Sequence, residues 1–111
     1  MGMLECLYKV KFRTCGDEGS CICLFKDGHM SGGGAVMYYL GTYQISGNHF
    51  TADVIARRHA KKSLPSPIMG LDEFHMKLEG LFSGGYAQVI GKVPEVPDAT
   101  VMASLSRLSE M

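Results

Sequence analysis

The side chains that could do chemistry in this 111-residue chain are few and dispersed. Cys21 and Cys23 stand two apart. In a strand that spacing puts both thiols on one side, with Cα atoms roughly 6–7 Å apart. A structural zinc would need two further ligands. The sequence holds no second Cys or His pair at ligand spacing, and Cys6 and Cys15 are its other thiols. We therefore expect no metal and no cofactor. His29, His49, His59 and His75 are scattered. Asp72 and Glu73 are neighbours, but consecutive strand residues face opposite ways, which argues against a shared-proton carboxylate pair. Glu73, His75, Lys77 and Glu79 alternate and read as one wet strand face. Arg57, Arg58, His59, Lys61 and Lys62 form the one basic cluster, which could touch nucleic acid or an acidic protein surface or simply be a wet strand end and loop. Gly32-Gly33-Gly34 lacks the Gly-Lys-Ser/Thr of a phosphate loop and has no following helix to hold an anion, so its role is geometric. No set of groups defines catalysis. The expectation is a protein that is not an enzyme, with no catalytic residues.

The elements that position these groups follow a period of two rather than 3.6. Tyr8, Val10 and Phe12 alternate with Lys9, Lys11 and Arg13. Residues 16–19, Gly-Asp-Glu-Gly, read as a hairpin turn, and residues 21–25 as a short buried strand. Asp27-Gly28 is the strongest hairpin signal. A third strand starts at His29-Met30 and runs into the three glycines, where a sharp bend or close backbone approach is expected. Residues 37–45 read as a fourth strand with Gly41 inside it, and Ser46-Gly47-Asn48 as a turn. Phe50, Ala52, Val54 and Ala56 give the inward face of a fifth strand. Leu64-Pro65-Ser66-Pro67 is a loop, with room for a single helical turn between residues 60 and 72. Phe74, Met76 and Leu78 point inward in a sixth strand. Ser83-Gly84-Gly85 turns the chain, residues 86–93 form a seventh strand, residues 94–98 a turn-rich loop, and Val101, Ala103 and Leu105 the inward face of an eighth. Strands every 8–14 residues with glycine turns predict one all-β domain over residues 1–111. We expect an antiparallel eight-stranded barrel or sandwich with at most a short helical turn.

Composition narrows the partners. Lys plus Arg equals Asp plus Glu at 11 each, so there is no global positive field to hold nucleic acid. No apolar run is long enough for a signal peptide or a membrane helix. The expected compartment is the cytoplasm, with reduced thiols and no membrane partner.

Several segments together resemble the GrlR-like proteins, lipocalin-like β-barrels whose type member is a negative regulator of type III secretion gene expression. They are Leu7-Tyr8-Lys9-Val10-Lys11-Phe12, then Phe25-Lys26-Asp27-Gly28-His29-Met30-Ser31-Gly32-Gly33. Tyr39-Leu40-Gly41-Thr42-Tyr43, Gly47, Ala52-Asp53-Val54 and Arg58-His59 follow in the same order. Leu64-Pro65-Ser66, Gly80, Gly84 and Gly91 sit at that family's turns, and Leu105-Ser106-Arg107-Leu108 fits its last strand. The resemblance implies a lipocalin-like barrel and a homodimer. It also implies repression by binding a transcriptional activator rather than DNA, and an apolar cavity for a lipid-like molecule. The chain departs from the family in two places. Where the type member carries the acidic docking stretch Glu-Asp-Glu-Asp, this chain has Ser46-Gly47-Asn48-His49. Where many relatives place an Asp after paired glycines, it has Gly34.

Two functions follow as expectations. In the first, the chain binds and inhibits a transcriptional activator by protein–protein contact, with Arg57, Arg58, Ser46 and Asn48 as partner-binding residues. The alternative is a barrel that binds or senses a small apolar, lipid-like ligand, with Phe12, Phe50, Phe74 and Met76 as contacts.

Overall fold

A computed structural model describes residues 6–14, 17–61 and 71–110, except the side chains of Asp17 and Glu110. All regular structure among these residues is strand: β1 Cys6–Thr14, β2 Asp17–Lys26, β3 His29–Gly33, β4 Met37–Ser46, β5 His49–Arg58, β6 Glu73–Ser83, β7 Tyr86–Val93 and β8 Val96–Glu110. Each strand pairs antiparallel with the next, and β8 returns to β1, closing an up-and-down barrel of eight strands. The Leu64-Pro65-Ser66-Pro67 loop, Cys15, Gly16 and Lys62 lie outside the described residues.

The pleat sorts the sequence as alternation predicts. On β5, Phe50, Ala52, Val54 and Ala56 are buried, and on β6 Phe74 and Met76 are buried while Glu73, His75, Lys77 and Glu79 are exposed. The Asp27-Gly28 turn has both central residues in the left-handed region, φ 52° and 80°. That is the conformation a two-residue hairpin needs if its twist is to match the flanking strands.

Three expectations are corrected. Asp17, Glu18 and Gly19 are not a turn but the first residues of β2, paired with Thr14, Arg13 and Phe12. Arg13 and Glu18 face each other across this stretch as an exposed ion pair at 3.7 Å. The ring of Phe12 also lies over Gly19, where a Cβ would come within 2.6 Å of it. Residues 21–25 are not buried on both faces: Cys21, Cys23 and Phe25 point in, whereas Ile22 is 44% exposed. The turn at residues 94–98 shrinks to Pro94-Glu95, since Val93 pairs directly with Val96. Pro97, which has no N–H to give, falls where the β7–β8 register shifts between Val96 and Thr100. The glycine run behaves as a close approach first and a bend second: Gly32 and Gly33 remain in β3, and the chain bends at Ala35 and Val36.

The core is banded along the barrel axis. At the end that carries the Asp27-Gly28, Gly47-Asn48 and Gly84-Gly85 turns, Tyr8, Phe25, Tyr43, Phe50 and Phe82 form a connected aromatic cluster. Its ring centroids are 5.1–6.5 Å apart, mostly edge-to-face. Toward the other end lie the fully buried Met37, Phe74 and Val93.

Candidate functional site

Between the two bands the small side chains leave an apolar cavity of about 50 Å³. Phe12, Phe50 and Met76, expected as ligand contacts, are on its wall, with Ala52, Val54, Val89 and Ala103 among the smaller residues that leave the space. Phe74 is wholly buried but packs in the core away from that wall. Cys21 and Cys23 are also on the wall, their Sγ atoms 3.6 Å apart. The Cys21 thiol is pulled below its ordinary pKa by a hydrogen bond from Cys23, which outweighs the upward push of burial. Cys23 moves up, because it keeps the donated proton and is itself buried. Burial pushes the Tyr39 phenol up as well, with the thiols of Cys21 and Cys23 adding to it. The sequence placed the two thiols on one face. It held no sign that they border a void, because a void depends on which small residues meet across the barrel.

The expected partner residues do not form one surface. Ser46 pairs with His49 at one end of the β4–β5 hairpin, and Met37 pairs with Arg58 at the other, so Ser46 and Asn48 stand roughly 30 Å from Arg57 and Arg58. The basic cluster is also largely engaged. Arg57 meets Glu73 at 3.1 Å, and Arg58, its side chain 10% exposed, meets Asp72 at 2.5 Å. The Tyr38 hydroxyl and Glu73 hold the Arg57 guanidinium above its ordinary pKa. His59 bonds through Nε2 to the Gly34 carbonyl at 2.8 Å, and its ring lies near Tyr38. The run therefore ties β5 to β6 and to the β3–β4 bend. Beside it, Glu95 accepts from the His75 backbone N–H at 2.9 Å and meets His75 Nδ1 at 2.5 Å. Partial burial pushes the Glu95 carboxyl up, but the His75 ring, the His75 N–H and its own backbone N–H outweigh this, and it rests below the usual carboxylate range.

A larger feature lies on the outer wall. A groove of about 610 Å³ runs over β6, β7, β8 and β1. The register makes its floor two cross-strand rows. One is Glu79, Ile90, Met102 and Arg13, and the next is Leu81, Gln88, Ser104 and Lys11. Leu81, Met102 and Ile90 are 61%, 59% and 51% exposed. The signal for this face was in the alternation: Leu81 shares its side of β6 with Glu79, and Met102 opposes the inward Val101 and Ala103. What the sequence lacked was the register that sets these residues side by side.

Among the described residues no three His, Cys, Asp or Glu side chains converge on a point that could hold a metal, and no helix is long and apolar enough to cross a membrane. The chain matches no protein-family model, and no curated protein either.

Proposed function

We propose that this chain is a non-enzymatic regulatory protein of the cytoplasm that binds and inhibits a transcriptional activator by protein–protein contact. This is the role carried by the GrlR-like proteins it resembles. The observation that supports the reading is the outer face of β6–β8, where Leu81, Ile90 and Met102 crowd large apolar side chains into water around an open groove. Contiguous exposed apolar surface of this kind marks protein contact sites. The charges at its edges, Glu79 on one side and Lys11 on the other, would set the orientation of the partner and give binding a salt dependence. Arg57 and Arg58 are less suited to anchoring it, since each is already matched by a carboxylate.

The alternative, a barrel for a lipid-like ligand, draws on the wholly apolar interior. Its volume works against it. A cavity of about 50 Å³ holds a few heavy atoms, whereas pockets for drug-sized molecules run to roughly 300–1,000 Å³.

The test is capture by the tagged wild-type protein in its native cell, followed by addition of both purified proteins to the captured regulator's DNA-binding assay. The expected result is one DNA-binding regulator in stoichiometric amount, whose promoter binding the protein abolishes. A doubly substituted Leu81→Asp, Met102→Asp variant should stay folded and bind that regulator at least tenfold more weakly. Failure to capture any regulator would remove the reading. The resemblance also leads us to propose a homodimer. If the double variant becomes monomeric yet still inhibits, the groove serves the dimer and the activator docks elsewhere.

A further inference from the structure

The pair Cys21 and Cys23 plays no part in the reading above, yet it places two free thiols side by side on the wall of the cavity. Both side chains are buried, at 7% and 1% exposure, and both border the cavity. Cys23's partner in β3 is Gly32, where a Cβ would come within 2.7 Å of the Cys23 sulfur, so that position puts no side chain against it. Gly34 likewise leaves the flank of Cys21 clear. The two sulfurs are in hydrogen-bond contact at 3.6 Å, and either can donate.

Geometry separates the bonds this pair can make. A direct disulfide needs sulfurs roughly 2.05 Å apart and Cα atoms no more than about 6.8 Å apart. Alternate residues of an extended strand already stand at about that limit. Closing the bond would compress β2 while it is paired to β1 on one side and β3 on the other. A single bridging atom with bonds to sulfur of about 2.3 Å holds two sulfurs roughly 3.5–3.8 Å apart, and the observed separation is 3.6 Å. Charge narrows the choice further. A monovalent ion on two thiolates leaves a net charge in an apolar cavity, which is costly. A zinc-like ion asks for two more ligands, and among the described residues the wall supplies no carboxylate or imidazole. A trivalent centre with one organic substituent takes two thiolates, is neutral, and turns its substituent into the apolar space.

We propose that Cys21 and Cys23 form an interior dithiol site that captures a small monosubstituted trivalent arsenical through both sulfurs. In the step with methylarsonous acid, two As–O bonds break and two As–S bonds form. Each thiol proton leaves with a hydroxyl as water, and arsenic stays trivalent, so no oxidant or reductant is consumed. The size of the cavity favours methyl over phenyl, since benzene occupies cavities of about 150 Å³.

The experiment is native mass spectrometry of the reduced full chain with methylarsonous acid. One arsenical per chain is expected, with two waters lost, resistant to glutathione and released by dithiothreitol. Cys21→Ser and Cys23→Ser should each lose the adduct at least tenfold, and Cys6→Ser and Cys15→Ser should keep it. On the wild type, where folding of variants is not in question, the adduct should shield Cys21 and Cys23 from N-ethylmaleimide. The proposal is overturned by an adduct that persists in either Cys21 or Cys23 variant, by unshielded thiols, or by equal capture of phenylarsine oxide. Ready conversion of the pair to a disulfide by glutathione disulfide in the native fold would overturn it too.

Discussion

The two ends of the barrel are built from different forces. At the end with the three glycine-containing turns, Tyr8, Phe25, Tyr43, Phe50 and Phe82 interlock ring against ring with almost no exposure at Tyr8, Phe25 and Phe50. At the other end the chain is tied at its rim by ion pairs, Arg57–Glu73 and His75–Glu95 largely open to water and Arg58–Asp72 with its guanidinium mostly covered. Buried aromatics contribute stability in proportion to the area they remove from water. Exposed pairs contribute little and are screened by salt. The aromatic end should therefore govern whether the barrel stands. The ionic rim should govern where β5, β6 and the β3–β4 bend sit.

The largest effect expected from this contrast is that of Phe50→Asp. It places an unpaired charge against Phe25 and Tyr43 and should cost more than about 4 kcal/mol, enough to leave the chain unfolded by circular dichroism. A soluble variant with an unchanged urea midpoint would mean the aromatic end is not the keystone. Gly41→Val comes next. Gly41 is a regular position of β4 between Met30 and Val54, but a Cβ there would lie 2.3 Å from the Asp53 carbonyl oxygen, so the strand must shift. A loss of about 2 kcal/mol in urea denaturation is expected.

Tyr8→Phe sharpens the comparison from the other direction. The Tyr8 hydroxyl is buried and has no hydrogen-bond partner among the described residues, and burial, its largest influence, raises the phenol above its ordinary pKa. Removing that hydroxyl should stabilise the barrel by up to about 1 kcal/mol, read as a higher melting temperature. A clear loss of stability would show that the hydroxyl is satisfied.

The smallest effect belongs to the rim. The Glu95 carboxyl has its folded pKa below the unfolded value, so its contribution is present above the ordinary carboxylate range. That contribution fades as pH falls through the depressed folded value. Glu95→Gln should flatten the acid limb of stability measured below about pH 4.5 and change nothing near neutrality beyond the loss of the pair. An acid limb as steep in the variant as in the wild type would assign the sensitivity to other carboxylates.

The same contrast explains what could be read from the sequence. β5 and β6 were legible almost residue by residue, because Phe50 to Ala56 and Phe74 to Leu78 alternate without interruption. The start of β8 was not. Val96-Pro97-Asp98 has the composition of a loop, and only its pairing across a register shift makes it strand. The rim was illegible for another reason: Arg57 and Glu73 are sixteen residues apart in the chain, and nothing local sets the register that joins them. The interior residues Phe12, Phe50 and Met76 were found by alternation, but the space they border depends on which residues of other strands share its wall, Ala52 and Ala103 among them. The outward Leu81, Ile90 and Met102 form a surface only once four strands are aligned.

Closure of the sheet through β8 and β1 limits how another protein can recognise this one. An open sheet offers a free edge of amide and carbonyl groups, to which an incoming chain can add a strand and bind through its backbone whatever its side chains. Here the Val10–Leu105 step of the seam and its neighbours occupy that ladder, so no such edge is on offer along it. A partner docking at this wall would have to read side chains, in their shape, their charge and the order in which Glu79, Ile90, Met102 and Arg13 stand across the strands. A single change in that row alters the message without touching the scaffold that displays it.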